Sequence, residues 1–296
     1  MKILLLGKNG QLGWELQRSL ACLGELVALD RQSAEHCGDL SDLAGLADTV
    51  RALRPDVLVN AGAYTAVDQA ESDEDMARTV NALAPAVLAR EAAALGALMV
   101  HFSTDYVFDG SGQKAWTELD TPAPLNVYGR TKLEGERAVQ TVCPKHLIFR
   151  TSWVYAARGG NFVKTMLSLA QERERLTVID DQWGAPTGAD LLADVAAHCI
   201  RQVVNRLGDV GLYHLVASGQ TSWFGYAEYV LARALIAQQA IKIVAKDIVA
   251  VASAAYVTPA ARPLNSRLDT QRLQAVFGLR LPPWQFGVDR LLAEIL

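Results

Sequence analysis

Short apolar runs of strand length alternate with stretches of helical periodicity along the first half of the chain. The apolar runs lie at 2–6, 26–29, 56–60, 97–103 and 146–151, and the helical patterns lie at 42–53, 81–95 and 128–140. Alternation of this kind is typical of parallel βαβ units. The sequence therefore predicts an α/β fold with a doubly wound parallel (Rossmann) sheet, in which ligands bind at the carboxyl ends of the strands.

A glycine-rich turn follows the first apolar run directly. Its glycines are spaced G-x2-G-x2-G, and a helical pattern opens immediately after them. Glycines in this context let the backbone approach a pyrophosphate, whose charge rests on the exposed N–H groups of the helix start. We expect a dinucleotide to bind at the glycines of this turn, Gly7, Gly10 and Gly13. Because the usual spacing is G-x-G-x2-G, a tight structural turn is the alternative.

The second apolar run ends in two residues with opposite consequences for the cofactor. Asp30 lies where a carboxylate accepts hydrogen bonds from the adenosine ribose of NADH, whereas the next residue, Arg31, suits the 2′-phosphate of NADPH. Asp39 and Leu40 begin the following turn, where they can border the adenine. The alternative is that Asp39 or Ser41 caps the next helix.

Tyr128 and Lys132 lie four residues apart in a helix-favouring stretch, so their side chains share one helix face. A phenol, with an ordinary pKa near ~10, transfers protons poorly at neutral pH until a fixed positive charge favours its phenolate. The pair can therefore serve as a general acid that protonates the alkoxide formed by hydride addition to a carbonyl. Taken alone, this spacing usually indicates a solvent-exposed surface pair.

Polar residues close three of the predicted strands, at 60–65, 103–106 and 151–153. Each set would face the same crevice as the glycine-rich turn, because the carboxyl ends of parallel strands meet at one edge of the sheet. Thr104 is a candidate to donate a hydrogen bond to the reacting oxygen, or else it is a strand-end hydroxyl that binds backbone. Trp153 either flanks the substrate or belongs to the core.

Length, charge and cysteine content narrow the class of protein. With 296 residues, the chain can bury a large core in one compound domain or in two. A net charge of −4 offers no basic surface to nucleic acid or to an anionic membrane. No segment fits a signal peptide or a bilayer span, and the four scattered cysteines lack metal-binding spacing. We expect a cytoplasmic protein with reduced thiols and neither a nucleic-acid nor a membrane partner.

A series of motifs runs in a fixed order through the whole chain. After the glycine-rich turn come Asn-Ala-x-Ala at 60–63, Ser-Thr-Asp-Tyr-Val-Phe at 103–108, Pro-Leu-Asn-Val-Tyr-Gly-x-Thr-Lys at 124–132, Phe-Arg-Thr-Ser-Trp-Val-Tyr at 149–155, Asp-Gln-x-Gly-Ala-Pro-Thr at 181–187, Tyr-His-Leu-Val-Ala-Ser-Gly at 213–219 and Arg-Pro-x-Asn-Ser-Arg-Leu at 262–268. In these motifs the chain resembles the extended short-chain dehydrogenase/reductases, and among them the dTDP-4-dehydrorhamnose reductase family. The Tyr-x3-Lys spacing alone would indicate only the superfamily.

This resemblance implies an activity and a set of site residues. The family moves hydride from the nicotinamide of NADPH or NADH to C4 of dTDP-4-dehydro-β-L-rhamnose, which gives dTDP-L-rhamnose for surface polysaccharide. Thr104, Tyr128 and Lys132 match its catalytic triad. The implied cofactor contacts are Gly10, Gln11, Leu12, Asp30, Asp39, Leu40, Ala63, Tyr64, Thr65, Tyr128 and Lys132, and we add Gly7, Gly13, Arg31 and Ala61 from their positions.

Residues beyond 151 are expected to supply the site for the nucleotide half of the substrate. We expect 1–150 to form the dinucleotide domain, to which the chain returns near 184–216, and 151–183 with 217–296 to form a smaller lobe. The substrate-binding candidates are Thr104, Asp105, Trp153, Asn161, Arg262 and Arg267. The planar fork of arginine suits a pyrophosphate, and an ordinary surface charge is the alternative for either arginine.

Two further groups of titratable residues carry weaker expectations. Glu15, Asp190 and Glu294 are candidates for a Mg²⁺ site between the subunits of a homodimer, although neither the metal nor the oligomeric state follows from the sequence. Four histidines lie in apolar or helical patterns and are expected to be structural: His101, His146, His198 and His214.

Two other functions share parts of this pattern. An NDP-sugar dehydratase or epimerase would have the same fold and the same Tyr-x3-Lys, but dehydratases follow the threonine with an Asp-Glu pair. Here Tyr106 stands where that glutamate would be, so simple reduction is favoured. The regulatory subunit of methionine adenosyltransferase also resembles this chain without being catalytic. The intact glycine-rich turn and triad argue against that role.

Overall fold

In the computed structural model, which describes residues 1–205, 207–239 and 247–296, strands and helices alternate along most of the chain. The strands are β1 (Lys2–Leu6), β2 (Glu25–Leu29), β3 (Val57–Asn60), β4 (Leu98–Thr104), β5 (His146–Thr151), β6 (Val154–Tyr155), β7 (Leu176–Ile179), β8 (Trp183–Gly184), β9 (Thr187–Gly188), β10 (Gly211–His214), β11 (Thr221–Ser222) and β12 (Ile248–Val251). The helices are α1 (Gln11–Leu20), α2 (Leu43–Leu53), α3 (Val67–Ala70), α4 (Glu74–Arg78), α5 (Ala84–Leu95), α6 (Val127–Val142), α7 (Phe162–Glu172), α8 (Ala189–Asn205), α9 (Trp223–Ile236), α10 (Gln271–Phe277) and α11 (Trp284–Ile295). Each of these described helices is too short or too polar to cross a bilayer.

The central sheet has six strands in the order β10-β5-β4-β3-β1-β2, and every neighbouring pair is parallel. The chain moves outward from β1 to β2 and then crosses back to β3, so the strand order reverses between β1 and β3. Sheets of this type bind ligands at such a switch point. The predicted doubly wound sheet is confirmed, and the bounds of its first five strands agree with the apolar runs to within one residue.

Alternate residues of β1 show why the strands are continuous apolar runs. Ile3 and Leu5 face the side covered by α1 and α8, whereas Leu4 and Leu6 face the side covered by α2 and α5. All four side chains are fully buried. Burial of one such side chain contributes about 1.5–3 kcal/mol, so apolar residues are favoured on both faces of β1.

The helical pattern predicted at 81–95 is interrupted near its start. The segment Thr79–Leu83 forms a π-helical turn ahead of α5. This turn buries Asn81, whose side chain accepts a hydrogen bond from the Tyr64 N–H at 2.8 Å and donates one to the Tyr64 carbonyl at 3.1 Å. The loop after β3 is thereby fixed beside the switch point. Such π turns often occur at functional sites.

A second apolar cluster lies outside the sheet layers. It is built from α7, α9, α11 and the β7–β12 pair, with Val163, Tyr226, Val230 and Val288 fully buried in it. Between these elements in sequence, α8 packs on α1, and β10 pairs with β5 at the edge of the central sheet. The chain thus leaves the central layers after β5, returns for α8 and β10, and leaves again.

Candidate active site

The turn after β1 forms a cradle that only glycine can line. Gly7 has a φ of +87°, and a Cβ on it would lie 2.7 Å from the Gly62 nitrogen. A Cβ on Gly13 would lie 2.0 Å from the Gly7 carbonyl oxygen. Gly10 is the N-cap of α1 and provides no side-chain cap, so the first-turn N–H groups stay available. This cradle fits the pyrophosphate of a dinucleotide.

At the end of β2, Asp30 is held by several hydrogen bonds. It accepts from the Asn9 side chain, from Ser33 Oγ at 3.0 Å and from the Gln32 N–H at 3.0 Å. Burial acts to raise the pKa of Asp30, but these hydrogen bonds and the charge of Lys8, 4.0 Å away, together hold it below the usual value. The carboxylate is therefore ionised at the place where an adenosine ribose would lie, and Arg31 is exposed beside it.

The next turn lies against the same crevice. The Leu40 side chain is buried, and its Cδ1 would be 2.6 Å from a Cβ placed on Gly62. The expectation that Asp39 or Ser41 caps the following helix is wrong. The N-cap of α2 is Asp42, which accepts a hydrogen bond from the Gly45 N–H at 2.9 Å, whereas Asp39 accepts from Ser41. Asp39 and Leu40 thus remain next to the crevice without a capping role.

Tyr128 and Lys132 lie in the first turns of α6, which Asn126 caps by accepting from the Gly129 N–H at 2.8 Å. Lys132 is only 1% exposed, so the alternative of a surface pair is wrong. Its Nζ donates to the Phe102 carbonyl at 2.6 Å. The helix approaches Tyr106 so closely that a Cβ on Gly129 would lie 2.2 Å from the Tyr106 carbonyl oxygen. Tyr106 and Tyr128 accordingly pack edge to face, with ring centroids 5.6 Å apart.

The protonation of this pair differs from the sequence expectation. Burial raises the pKa of Tyr128 to about 12, although a hydrogen bond with Thr104 acts to lower it. Burial also lowers the pKa of Lys132 to about 8, against the charge of Glu136. Lys132 was expected to lower the pKa of Tyr128, but its Nζ is turned toward the Phe102 carbonyl. Burial is the largest influence on both groups.

Thr104 and Asp105 end β4 beneath Tyr128. The Thr104 hydroxyl accepts from the Tyr106 N–H at 3.1 Å and lies 3.1 Å from Asp105 Oδ1, so it does bind backbone as the alternative held. Asp105 is 2% exposed, and its burial raises the pKa of the carboxyl to about 7 despite hydrogen bonds from Ser266 and Thr104. Within the described residues, four buried oxygens at these strand ends lack a partner: Ser103 Oγ, Asp105 Oδ2, Thr151 Oγ1 and Ser152 Oγ. Unpartnered polar atoms at a crevice favour a polar ligand.

Trp153 and Asn161 link the sheet to the second cluster. Trp153 has a φ of +49°, and its ring stacks on Trp223 at 3.8 Å, so it belongs largely to that cluster while remaining partly exposed. Asn161 caps α7 and donates to the Ala156 carbonyl at 2.7 Å and to Gln11 Oε1 at 3.4 Å. Asn161 therefore ties the loop before α7 to the glycine-rich turn, whereas Trp153 packs on the second cluster.

The two arginines of the 262–268 motif have different surroundings. Arg262 binds both oxygens of Asp68, at 3.0 and 2.7 Å, which ties this motif to the start of α3. Arg267 instead contacts amides: Gln220 Oε1 at 2.5 Å and Asn265 Oδ1 at 3.0 Å. Burial lowers the pKa of Arg267. A guanidinium bound to neutral partners is the better placed of the two to receive an anion.

The three metal candidates lie around one small cavity together with Arg290. Arg290 Nε is 3.5 Å from both Asp190 Oδ2 and Glu294 Oε1, and Arg18 Nε is 3.4 Å from Glu15 Oε2. Throughout the described part of the chain, no group of three His, Cys, Asp or Glu side chains is arranged to hold a metal ion. The structure therefore gives no support to a Mg²⁺ site, and the homodimer stays a prediction.

Sequence reasoning missed a buried ion pair beneath α6. Glu136 and Arg150 are 1% and 4% exposed and form two hydrogen bonds, at 2.9 and 2.7 Å. The spacing offered a signal, because Glu136 lies four residues after Lys132 on the same helix face. Nothing in the sequence indicated Arg150 on β5 as its partner.

The fold and the site together define a class, the dinucleotide-dependent oxidoreductases of the short-chain dehydrogenase/reductase type. The chain belongs to the family described as RmlD substrate binding domain, whose model matches residues 1–296. The dTDP-4-dehydrorhamnose reductase of Escherichia coli strain K12 is 56% identical over 295 residues, which are 100% of this chain and 98% of that protein.

Solved structures agree with this assignment. A dTDP-4-dehydrorhamnose reductase from Clostridium acetobutylicum superposes with a TM-score of 0.89 and 33% identity, covering 100% of this chain and 99% of the other. The one from Bacillus anthracis, in complex with NADP, has a TM-score of 0.87 and 33% identity, with 99% of each chain covered. The resemblance predicted from the motifs is confirmed.

Proposed function

We propose that this chain reduces the C4 keto group of dTDP-4-dehydro-β-L-rhamnose with NAD(P)H, giving dTDP-L-rhamnose for rhamnose-containing surface polysaccharide. The observation that carries the proposal is the 56% identity, over the whole chain, with the Escherichia coli reductase. The geometry supports it, because Tyr128 contacts Thr104 and Lys132 binds the Phe102 carbonyl, both near the carboxyl end of β4.

The crevice suits a nicotinamide dinucleotide, which supplies the hydride when bound. Backbone N–H groups of the glycine cradle would hold its pyrophosphate, and Asp30 would bind the adenosine ribose. Tyr128 and Lys132 would bind the nicotinamide ribose. We propose that further residues contact the cofactor between its adenosine and its nicotinamide ribose: Gln11, Leu12, Asp39, Leu40, Ala61, Ala63, Tyr64 and Thr65.

Tyr128 acts as the general acid in the proposed mechanism. Its raised pKa keeps the phenol protonated at neutral pH, so a proton is available when hydride addition makes the C4 oxygen negative. Thr104 donates a hydrogen bond to the same oxygen, and Lys132 holds the ribose beside it. Fixed donors at a developing charge can stabilise the transition state by several kcal/mol, about 3 for a single donor.

The dTDP end of the substrate is assigned to the second lobe, formed by 151–183 and 217–296. We propose Arg267 for the diphosphate, because its present partners are neutral amides, and Trp153 and Asp105 for the sugar. Arg262 acts indirectly in this scheme. Its ion pair with Asp68 holds the 262–268 motif across the crevice, and Asn161 does the same for the loop before α7.

The cofactor choice is proposed to be dual. Asp30 accepts hydrogen bonds from a free ribose and repels a 2′-phosphate, whereas Arg31 and Lys8 attract that phosphate. At a protein surface such opposing terms are each on the order of a few kcal/mol and partly cancel. We therefore expect kcat/KM for NADH and NADPH to lie within about two decades of each other.

A reduction assay tests the function. The purified chain is mixed with NADPH or NADH and enzymatically made dTDP-4-dehydrorhamnose, with dTDP-4-dehydroglucose in a parallel reaction, and oxidation of the cofactor is followed by absorbance. Tyr256→Phe, which alters an exposed tyrosine, serves as the control for Tyr128→Phe. Folded protein that oxidises neither cofactor with the rhamnose precursor would contradict the proposal. Faster reduction of the glucose derivative would reassign the substrate.

A further inference from the structure

A buried row of polar groups runs behind the catalytic helix. Asn60 on β3 and His101 on β4 are cross-strand partners, and Lys132 on α6 follows them. Each of the three is 1% exposed. Asn60 Nδ2 lies 3.3 Å from His101 Nδ1, and His101 Nε2 lies 3.4 Å from Lys132 Nζ. His101 was expected to be structural, and its contact with a catalytic residue was not foreseen.

The direction of the first hydrogen bond follows from its neighbour. The Gly62 N–H donates to Asn60 Oδ1 at 3.2 Å, so the amide nitrogen of Asn60 is the group that faces His101. An amide nitrogen only donates, hence His101 Nδ1 accepts. Burial lowers the pKa of His101 well below its usual range. The imidazole is therefore neutral, and its single hydrogen is on Nε2.

That hydrogen determines which form of Lys132 fits. An ammonium has three donors and no acceptor, so it cannot accept a hydrogen bond from the Nε2–H of His101. A neutral amine can accept this bond with its lone pair and still donate to the Phe102 carbonyl at 2.6 Å. Each hydrogen bond between these three side chains thus has one donor and one acceptor only when Lys132 is neutral. The lowered pKa of Lys132, about 8, acts in the same direction.

Few nearby charges oppose the neutral form of Lys132. The titratable groups around the amine are His101 on β4, and Tyr128 and Glu136 one turn away on α6 itself. Glu136 is engaged through both oxygens by Arg150 of β5, so its attraction for an ammonium is largely offset. From the other elements packed on α6 come the uncharged Asn81 of the π turn, the carboxyl of Asp105 near Tyr128, and Glu71 after α3, which accepts from the Val127 N–H at 2.7 Å. Arg78 and Glu74 of α4 pair with Glu134 and Arg130 at the outer surface.

We propose that His101 is a positioning residue that favours the neutral amine of Lys132 in the cofactor-free enzyme, so that in mildly alkaline solution Lys132 takes up a proton from solvent when the dinucleotide binds. The ribose hydroxyls of the cofactor offer acceptors to an ammonium, and its pyrophosphate brings negative charge into the crevice. Both changes favour the charged amine. The inference rests on the proposed function for the cofactor, not for the sugar.

Isothermal titration calorimetry measures the proton directly. NADPH is titrated into the enzyme at about pH 8.5 in buffers of different ionisation enthalpy, where the 2′-phosphate stays ionised. The slope of observed enthalpy against buffer enthalpy counts the protons taken up. With a pKa of about 8 in the free enzyme and a return toward the ordinary 10.5 on binding, we expect an uptake of roughly 0.7 proton per NADPH. A slope of zero would overturn the proposal.

Two variants of His101 separate this role from a merely structural one. His101→Gln places an amide oxygen near Lys132, which lets the free enzyme hold an ammonium, so the uptake should fall to near zero. His101→Phe supplies no acceptor, and the uptake should persist. His214→Gln, which changes another fully buried histidine, is the control and should retain the uptake of the wild type. Equal uptake by both His101 variants would refute the assignment.

The tautomer can be checked without any variant. In cofactor-free enzyme with ¹⁵N-labelled histidine, the ring nitrogen shifts of His101 should show the hydrogen on Nε2, and a hydrogen on Nδ1 would overturn the inference. The outcomes are distinguishable from those of the reduction assay. If the enzyme reduces the sugar without proton uptake, the proposed function stands and this inference is wrong. If the enzyme takes up the proton but reduces no sugar, this inference stands and the proposed function is wrong.

Discussion

Asp105 is a buried carboxyl whose protonation should be visible in the stability of the protein. It lies between Thr104 and Ser266 at the end of β4, and one of its oxygens has no partner in the described structure. Burial raises its pKa from the ordinary 3.8 to about 7. The perturbation that tests this is Asp105→Asn, because an amide keeps the shape of the group and cannot ionise.

The magnitude and the sign follow from linkage. A displacement of about three pKa units corresponds to on the order of 4 kcal/mol of folding free energy. Below the ordinary value both the folded and the unfolded chain carry the proton, and the contribution of Asp105 is fully present. As the pH rises toward about 7, only the folded chain retains the proton, so the free energy of unfolding of the wild type falls. Asp105→Asn should be relatively more stable across this window, and its advantage should level off above about pH 7.

The assay is urea unfolding of both proteins, followed by tryptophan fluorescence, at several pH values between about 5 and 8. Asp75→Asn, which changes an exposed carboxylate on α4, controls for the loss of a charge as such. The quantity of interest is the difference in free energy of unfolding between variant and wild type. If this difference does not change with pH, Asp105 is ionised in the folded chain throughout, and the reasoning about its burial is wrong.

Three further predictions concern neighbouring groups. Tyr128→Phe should lower kcat by about two to four decades with nearly unchanged cofactor affinity, as measured by turnover and by fluorescence titration; near-normal turnover would exclude Tyr128 as the proton donor. Arg31→Ala should weaken kcat/KM for NADPH selectively and Asp30→Ala that for NADH, and equal effects of Arg31→Ala on both cofactors would show that it points away. Glu136→Gln leaves Arg150 buried without a counter-charge, so it should cost about 3–5 kcal/mol in urea unfolding, and an unchanged midpoint would contradict a buried pair.

The sheet and the cofactor end of the site could be predicted because local sequence determines them. Strands covered on both faces must be continuous apolar runs, and the close contact between Gly7 and Gly62 admits no side chain. The pair proposed to be catalytic is local as well, since Tyr128 and Lys132 share one helix face by spacing alone. These features require no knowledge of which distant segments meet.

The partners of the predicted residues could not be foreseen for the opposite reason. Arg262 is 194 positions from Asp68, and the choice between an ion pair and a substrate contact depends on how the later segments cross the crevice. Asn161 was expected at the substrate because it opens a helix, but the capping geometry directs its side chain to backbone and to Gln11. Short strands such as β8, with two residues, carry no periodicity that a sequence could reveal.

One face of α6 connects the buried ion pair in the core with Tyr128 at the crevice. Tyr128, Lys132 and Glu136 recur every four residues, so they form one row along the helix. The first faces the strand-end hydroxyls, the second meets His101, and the third is fixed by Arg150. Arg150 is followed on β5 by Thr151, whose hydroxyl is free at the crevice within the described structure. Because Glu136 and Arg150 are rigidly paired in the core, the helix can neither rotate nor slide without breaking that pair. The position of the Tyr128 hydroxyl relative to β4 and β5 is therefore set two turns away from the reacting atoms.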